Sequence, residues 1–286
     1  MSMTDIAAQS RVKKIEALKL TDVSGAVKTG TARLILECVT VQYGGVLILD
    51  SLSLEVCDYE LAALTGPGGS GKTTVLNCIA GECGLANGRI LLNGEVIAEN
   101  HPKGRSKNIY KGDNANQYKK TVRLTPNQIA KRGVVRVKQD VGWNDRPTVF
   151  DVLFYAKINA AKRGMFGVPL QKVAVDADKM RRETADLLDV HNLSQWKDLN
   201  PAGLPYAVQR RLAIAEALAT TPSLLLLDEP SAEMSPEDSL DLYEHIKRIK
   251  NSCKLAVLMI EPSWDLALKM SDRVFSLDRG RLIPRR

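Results

Sequence analysis

The 286-residue sequence predicts an α/β fold with a mainly parallel β-sheet preceded by an antiparallel pair of strands. Three observations predict it. Residues 61–74 run from a short apolar segment through a glycine-rich loop into a helix. Residues 223–230 begin with an all-apolar segment, which is typical of a strand buried on both faces of a parallel sheet. Residues 34–43 and 47–56 alternate apolar and polar side chains around a Gly-Gly turn, which is typical of an antiparallel pair.

The composition is that of a globular protein. A chain of 31.4 kDa with 44% hydrophobic and 26% charged residues is long enough to bury a full α/β core. Its apolar runs are far shorter than a membrane span, and its start lacks the layout of a secretory signal, so we expect a cytosolic chain. The net charge of +7 suits an anionic partner such as a nucleotide, a lipid headgroup or a nucleic acid, without choosing among them.

The cysteines are odd in number, scattered and without a C-x-x-C pair. We therefore predict that they are small core residues in a reducing compartment and neither metal ligands nor disulfides. They are Cys38, Cys57, Cys78, Cys83 and Cys253.

The N-terminal residues 1–33 mix small, polar and charged side chains with weak apolar spacing. This pattern predicts a mobile tail. A basic amphipathic membrane anchor is the less favoured alternative, because few apolar residues recur. The first strand after the tail ends at Tyr43, just before the Gly-Gly turn. Its aromatic ring could stack on an adenine base or could be an edge residue at the strand end, and the sequence leaves both alternatives open.

The glycine-rich loop has the order G-x-x-x-x-G-K-T, which is typical of a loop that cradles the phosphates of a nucleoside triphosphate. Its glycines allow positive φ angles and let backbone N–H groups approach phosphate oxygens. Lys72 would reach the β- and γ-phosphates, and the Thr73 hydroxyl would help to hold Mg²⁺. An ordinary glycine-rich turn is disfavoured, because strand, loop and helix occur in the required order. The predicted binding residues are Gly66, Pro67, Gly68, Gly69, Ser70, Gly71, Lys72, Thr73 and Thr74.

The apolar strand in residues 223–230 ends in two acids. Asp228 would lie beside the phosphate loop and position Mg²⁺, since ligands bind at the carboxyl ends of parallel strands. Glu229 would face the γ-phosphate and polarise the attacking water, which makes it the candidate general base. A strand that merely ends in two solvated acids is the weaker interpretation beside an intact phosphate loop.

The remaining pattern alternates strands and helices. Helices are predicted at 72–79, 149–161, 177–188, 209–219 and 236–250, the last with Ser235 as N-cap, and strands at 88–94, 133–138, 254–260 and 273–277. Residues 98–123 are poor in apolar and rich in basic side chains, with interleaved tyrosines. We interpret this segment as a solvated basic insertion. Contact with phosphates and bases is the less favoured alternative.

Together these pieces resemble the ATP-binding cassette (ABC) ATPases over about residues 34–283, and most of all the ATPase subunits of branched-chain amino acid importers. The motifs that carry the resemblance are Tyr43-Gly44-Gly45, Leu76-Asn77-Cys78, residues 129–139, residues 209–215 and Ser271-Asp272-Arg273. The resemblance implies a P-loop NTPase (RecA-like) core, an N-terminal antiparallel β subdomain and an ABC-type α-helical subdomain at about 148–219. It also implies that Tyr43 stacks on adenine and that Gln139 senses the γ-phosphate and Mg²⁺.

Two departures from the family pattern affect turnover. The family's signature Leu-Ser-Gly-Gly-Gln is replaced by residues 204–208, where Pro205 has neither the serine hydroxyl nor an N–H group. We expect the contact across the dimer to be weakened by about 1.5 to 3 kcal/mol. The family's switch histidine, which follows Ile-Glu, is replaced by Pro262 in Ile260-Glu261-Pro262-Ser263. A proline cannot hydrogen-bond the γ-phosphate.

These features predict an ATP-binding subunit of an ABC transporter that binds ATP and Mg²⁺, with hydrolysis impaired in isolation. The expected partners are a second cassette, in a homodimer or heterodimer, and transmembrane permease subunits at the cytoplasmic face of the membrane, with no direct nucleic acid contact. The alternative is a non-hydrolytic, ATP-gated regulatory or assembly subunit of a membrane complex. The predicted domains are the tail, residues 1–33, and one nucleotide-binding domain, residues 34–286.

Overall fold

The computed structural model describes residues 31–101, 121–139, 142–143, 147–164, 177–252 and 255–283. In chain order the elements are β1 (Ala32–Tyr43), β2 (Val46–Cys57), β3 (Leu61–Thr65), α1 (Lys72–Ile79), β4 (Asn87–Leu92), β5 (Glu95–Asn100), β6 (Val122–Arg123), α2 (Pro126–Ala130), β7 (Val134–Val137), α3 (Val149–Gly164), α4 (Ala177–Val190), α5 (Tyr206–Leu218), β8 (Leu224–Asp228), α6 (Pro236–Ser252), β9 (Ala256–Ile260), α7 (Trp264–Met270), β10 (Arg273–Asp278) and β11 (Arg281–Ile283).

The strands form two sheets, as the predicted fold class requires. One is antiparallel, with the order β2-β1-β4-β5-β6, and the other has the order β11-β10-β3-β9-β8-β7. In the second sheet β10, β3, β9, β8 and β7 are parallel, and only β11 among the described strands of this sheet is antiparallel, to β10. Both β3 and β8 pair with β9, so the loops that follow β3 and β8 leave the same edge of the sheet.

The parallel sheet is buried on both faces, as the all-apolar segments predict. Along β3, Ala62 and Leu64 join the core shared with the antiparallel sheet, while Leu61 and Ala63 join the core shared with the helices. Side chains alternate across a strand, so one short apolar strand supplies both cores. No helix in the described ranges is long and apolar enough to cross a membrane.

The predicted tail, residues 1–33, and the predicted basic insertion, residues 98–123, were each a few residues too long. β1 begins at Ala32, because Leu34 and its neighbours pair with both β2 and β4. Both ends of the basic segment 98–123 are strand: β5 continues to Asn100, and β6 pairs with it through Val122 and Arg123. Strand pairing overrides the polar composition there. Residues 1–30 and 102–120 lie outside the described residues.

Several short elements were not predicted. α2 begins with a capping box, in which the Thr125 side chain accepts from the Gln128 N–H and the Gln128 side chain accepts from the Thr125 N–H. The Thr-Pro-x-Gln pattern was a usable signal for this start.

The starts of two predicted helices can be compared with the structure. α5 begins at Tyr206, three positions before the predicted 209, because Pro205 is its N-cap. The predicted N-cap of α6 is present, since Ser235 Oγ accepts from the Asp238 N–H at 3.1 Å.

A buried histidine pair links the end of α4 to α6. His191 and His245 are each 1% exposed, and their ring nitrogens Nδ1 and Nε2 lie 2.8 Å apart. The second nitrogen of His245 faces the Arg248 guanidinium at 2.9 Å. Burial, reinforced by neighbouring charges that include Arg211 and Arg248, lowers the pKa of His191 to about 3 and that of His245 to about 4.

This pair predicts an acid-sensitive fold. Both folded pKa values lie below the unfolded value near 6.5, so the unfolded state binds more protons and stability falls as the pH drops from about 6.5 toward 3 to 4. We expect the free energy of unfolding to fall by about 2 to 4 kcal/mol between pH 7.5 and pH 5, measured by urea denaturation. The His191→Gln/His245→Gln variant should lose most of this slope, whereas His101→Gln should retain it. An unchanged slope in the double variant would contradict the assignment.

Candidate functional site

The glycine-rich loop joins β3 to α1 in a conformation that only glycine can adopt at two positions. Gly66 has φ 149° and Gly71 has φ 105°. A Cβ atom on Gly66 would lie 2.0 Å from the Leu277 carbonyl oxygen, and one on Gly71 would lie 2.8 Å from Leu49 Cδ2. The backbone is thus held against β10 and β2 where no side chain fits. The loop has the close backbone geometry that a phosphate cradle needs.

The polar groups of this loop converge on its interior. Lys72 is 7% exposed, and its ammonium donates to the carbonyls of Gly66 at 2.8 Å and Pro67 at 2.9 Å. Ser70 Oγ is buried and has no hydrogen-bond partner among the described residues. Gly71 caps α1 without a side-chain hydrogen bond, and Thr73 is exposed in its first turn. An orphaned hydroxyl, a lysine and an uncapped helix start fit a bound phosphate chain.

Asp228 ends β8 at the edge of the sheet that carries this loop. Its Oδ2 accepts from Arg136 Nη2 at 2.5 Å, which leaves Oδ1 outside that ion pair. The same guanidinium donates to Asn77 Oδ1 at 2.6 Å and Glu82 Oε2 at 3.0 Å. Arg136 therefore connects Asp228 to α1 and to the turn after it.

The donors around Asp228 fit a magnesium ion. The Asp228 carboxylate and the Thr73 hydroxyl are oxygen donors, which Mg²⁺ prefers, and Mg²⁺ sites need only one or two protein ligands beside substrate phosphates. Accordingly, the described residues contain no group of three or more histidine, cysteine or acidic side chains arranged for a metal. Sequence reasoning missed Arg136, although a cation among the apolar residues of the strand predicted at 133–138 was a usable signal for an acidic partner.

The backbone of Glu229, the candidate general base, has an unusual conformation and a fixed contact. Its φ of 46° lies in the left-handed region, which is sparsely populated for residues other than glycine. Its carbonyl accepts from Arg210 Nη2 at 3.0 Å. This hydrogen bond therefore holds the Glu229 backbone directly after β8.

Arg210 on α5 is the central fixing residue, and the sequence analysis did not identify it. Its guanidinium is buried at 2% exposure and donates to the carbonyls of Lys138, Gln139, Glu229 and Pro230 at 3.0, 2.5, 3.0 and 3.2 Å. One buried cation thus ties the segment after β7 to the segment after β8. Gln139 itself is exposed, with its backbone anchored by this contact. Residues 140–141, which follow it, lie outside the described part of the chain.

Tyr43 lies at the end of β1 with 46% of its surface exposed. Its ring is therefore accessible for stacking on a base. A hydrogen bond with Cys83, followed by burial, raises the pKa of Tyr43 to about 12. Its role in adenine binding stays a prediction.

The segment that replaces the signature is built around Pro205. Pro205 is the N-cap of α5 and makes no side-chain capping hydrogen bond. The Gln209 side chain stabilises the segment instead: it donates to the Leu204 carbonyl at 2.8 Å and accepts from Trp143 Nε1 at 3.1 Å. This surface therefore offers no hydroxyl at position 205 to a ligand.

The segment after β9 has Pro262 and Ser263 in place of the missing histidine. Ser263 Oγ accepts from the Leu266 N–H at 3.3 Å as the N-cap of α7. The Pro262 carbonyl accepts from Thr65 Oγ1 at 3.4 Å. Next to them Glu261 is 2% exposed and accepts from Ser231 at 2.8 Å and from Tyr243. Burial and the Glu261 charge raise the pKa of Tyr243 well above its usual range.

Comparison with protein families gives one match, the ABC transporter model, over residues 49–232. Among curated proteins, the high-affinity branched-chain amino acid transport ATP-binding protein LivG of Salmonella typhimurium is 32% identical over 84% of this chain and 86% of its own length. The corresponding protein BraF of Pseudomonas aeruginosa is 29% identical over 85% of this chain and 86% of its length.

Solved structures show the same fold. The ADP conformation of MJ1267, an ATP-binding cassette of an ABC transporter, matches with a TM-score of 0.69 at 22% identity, over 88% of this chain and 90% of that one. CbiO1 of Clostridium perfringens, part of the transporter complex cbiONQ, matches with a TM-score of 0.68 at 20% identity, over 88% and 87%. The predicted P-loop NTPase core is therefore confirmed.

Proposed function

The chain belongs to the ABC transporter family, and from this membership we propose that it is the ATP-binding subunit of an ABC transporter. It binds MgATP at the loop between β3 and α1, and closure of two cassettes around ATP moves transmembrane partner subunits. The proposed place of action is the cytoplasmic face of the membrane. The relatives named for branched-chain amino acid transport support ATP-driven transport as the role. The proposal does not extend to their solute.

One observation carries this proposal: the loop that begins at Gly66 combines a buried Lys72, an orphaned Ser70 hydroxyl and an uncapped α1 at the sheet edge where Asp228 ends β8. Bound Mg²⁺ neutralises phosphate charge and aligns the γ-phosphate for attack by water. Lys72 would leave its two carbonyl acceptors for phosphate oxygens. Asp228 would offer the oxygen that Arg136 leaves free.

We propose that hydrolysis by this chain alone is slow or absent. Glu229, fixed by Arg210, would orient the attacking water, with Gln139 beside it. Pro205 offers no hydrogen-bond donor to a γ-phosphate bound on an opposite cassette. Pro262 offers none to the γ-phosphate in the chain's own site. In a homodimer both composite sites would therefore lack these contacts. With an intact second cassette, this chain's site would receive a complete signature and lack only the histidine.

A groove between β7, α3 and α5 is the proposed docking place for the transmembrane partner. It has a volume of about 370 Å³, and its lining includes Val137, Ala156, Asn159, Ala213 and Glu216. Arg210, on the same α5, holds the segments that carry Gln139 and Glu229. A partner helix that moves in the groove would displace α5, and Arg210 would pass this displacement to the backbone of Glu229. The unit that moves would be the helical subdomain, about 148–219, within a nucleotide-binding domain of residues 34–286.

The second candidate function is a non-hydrolytic subunit that uses ATP binding as a switch in a membrane complex. Pro205 and Pro262 favour it, because both remove contacts needed for turnover and leave the binding residues intact. The two functions differ in phosphate release in the presence of the partner subunits.

The magnesium dependence of ATP binding tests the proposed site. We expect calorimetry to show that wild-type protein binds MgATP more tightly than ATP in EDTA, and that Asp228→Asn reduces this difference by about tenfold or more. Asp178→Asn, which changes an exposed acid on α4, should leave the difference intact. Equal magnesium dependence in Asp228→Asn and wild-type protein would contradict the assignment of Asp228.

A further inference from the structure

Two thiols meet where α1 ends, in a contact that the proposed nucleotide chemistry does not use. Cys78 lies on α1 and Cys83 follows the turn after it, both are buried, and their sulfurs are 3.0 Å apart. From the sequence they were predicted to be small core residues, because the cysteines are scattered and lack a C-x-x-C pair. Both are reduced thiols in the structure.

The backbone holds this contact in place. The N–H groups of Glu82 and Cys83 both donate to the Asn77 carbonyl, at 2.8 and 3.3 Å, and Gly81 turns the chain with φ 76°. A Cβ atom on Gly81 would lie 2.7 Å from Ile129 Cδ1, so the turn is fixed against α2. The sulfur of Cys83 therefore stays opposite that of Cys78. Closing a disulfide would require the sulfurs to approach to about 2 Å.

The surroundings make the two thiols unequal. A hydrogen bond from Cys78, then one from Tyr43 and the positive charge of Arg123, lower the pKa of Cys83 to about 7 against the opposing effect of burial. The hydrogen bond with Cys83, together with burial, raises the pKa of Cys78 well above its usual range. Cys83 is thus the nucleophilic member and Cys78 the resolving one. On its other side Cys83 accepts a hydrogen bond from Tyr43, whose surface is 46% exposed.

We propose that Cys78 and Cys83 are a peroxide-sensitive thiol pair whose reversible disulfide alters Tyr43 and the nucleotide site beside it. The Cys83 thiolate attacks a hydroperoxide, forming an S–O bond as the O–O bond breaks and hydroxide or an alkoxide leaves, which then takes a proton from water. The Cys78 thiol then attacks that sulfenic acid, forming the S–S bond as the S–O bond breaks and water leaves with the released proton. The two sulfurs supply the two electrons that reduce the peroxide.

Oxidation would act on the site through two contacts. It removes the thiolate that accepts from the Tyr43 hydroxyl, so the ring predicted to stack on adenine loses a fixing hydrogen bond. It would also shift Asn77, because the Asn77 carbonyl accepts from the Cys83 N–H and the Asn77 side chain accepts from Arg136. This consequence rests on the proposed function, whereas disulfide formation itself does not.

Peptide mapping tests the thiol pair without reference to nucleotide. The full-length wild-type protein is reduced, exposed to hydrogen peroxide, alkylated with N-ethylmaleimide and digested with trypsin. Cys78 and Cys83 then share peptide 73–89, while Cys38 and Cys57 share peptide 34–72. We expect both cysteines of peptide 73–89 to escape alkylation together, and the peptide to be two hydrogen atoms lighter than its reduced, unalkylated form. Treatment with dithiothreitol should restore alkylation of both cysteines. Peptide 34–72 is the internal control and should remain fully alkylated.

Two outcomes would overturn the pair: oxidation of peptide 34–72 before peptide 73–89, or oxygen addition at Cys83 with Cys78 still alkylated. In Cys78→Ser protein, dimedone should label Cys83 as a sulfenic acid, and absence of the label would exclude Cys83 as the nucleophile.

The nucleotide consequence has a separate readout. We expect the oxidised protein to bind MgATP about three- to tenfold more weakly than the reduced protein, the value of one hydrogen bond, with recovery in dithiothreitol. The Cys78→Ser/Cys83→Ser variant should bind equally with and without peroxide. Unchanged affinity in a protein with the mapped disulfide would overturn the link to Tyr43. If the reduced protein does not bind MgATP, the proposed function fails and the mapped disulfide still stands.

Discussion

Replacing Lys72 by alanine is expected to weaken MgATP binding by about a hundredfold or more. The Lys72 ammonium is buried inside the loop, where it already makes two hydrogen bonds to carbonyls at 2.8 and 2.9 Å. In the complex the same ammonium would make charge-assisted bonds to phosphate oxygens, each worth about 1.5 to 3 kcal/mol. Loss of two such bonds would cost about 3 to 6 kcal/mol, which exceeds the roughly 2.8 kcal/mol that corresponds to a hundredfold change in affinity.

The measurement is calorimetric titration with MgATP, paired with phosphate release under the same conditions. Lys179→Ala is the matched control, because it removes an exposed lysine on α4 that lies 3.9 Å from Glu183. We expect the control to bind MgATP like the wild-type protein. Wild-type affinity in Lys72→Ala would mean that nucleotide is bound elsewhere or without this loop. Thermal unfolding of both variants separates loss of binding from loss of the fold.

Restoring the two missing contacts is expected to raise ATP turnover. The wild-type protein should release phosphate slowly or not at all, and the Pro205→Ser/Pro262→His variant should do so at least about tenfold faster. Each restored side chain supplies a hydrogen bond to a charged phosphate, worth about 1.5 to 3 kcal/mol. In the wild-type protein the Pro262 ring offers no such donor, and the neighbouring Ser263 Oγ accepts from the Leu266 N–H as the N-cap of α7.

Steady-state phosphate release at saturating MgATP measures this effect, with each single variant beside the double variant. Adding Glu229→Gln to the double variant should abolish the gain, since the general base is then lost. The prediction fails if the wild-type protein already shows brisk Mg²⁺-dependent turnover that Glu229→Gln abolishes. In that case Pro205 and Pro262 do not disable the site.

Much of the fold was predictable because it depends on local patterns. The all-apolar segments of β3 and β8 identify strands buried on both faces, and the predicted helix 72–79 agrees with α1. The predictions were wrong where pairing partners decide the conformation. Both ends of the basic segment 98–123 become strand because β5 pairs with β4 and with β6, and the start of α5 depends on the cap at Pro205.

The candidate site divides in the same way. The phosphate loop follows a fixed spacing, and an all-apolar strand that ends in an acid is a local pattern too, so Gly66, Lys72 and Asp228 could be named from the sequence. Side chains that hold those residues in place have no such spacing. Arg210 lies 71 positions from Gln139 and Arg136 lies 92 positions from Asp228, and only the fold brings each pair together.

By itself, the sequence determined the family, most of the longer strands and helices, the phosphate loop, and the loss of a hydroxyl at Pro205 and a histidine at Pro262. These properties depend on residue type and local spacing. The tertiary structure alone decided that Arg210 fixes Glu229, that Arg136 engages Asp228, and that Cys78 and Cys83 meet beside Tyr43. Those contacts depend on distances between elements, which are set when both faces of the parallel sheet are buried.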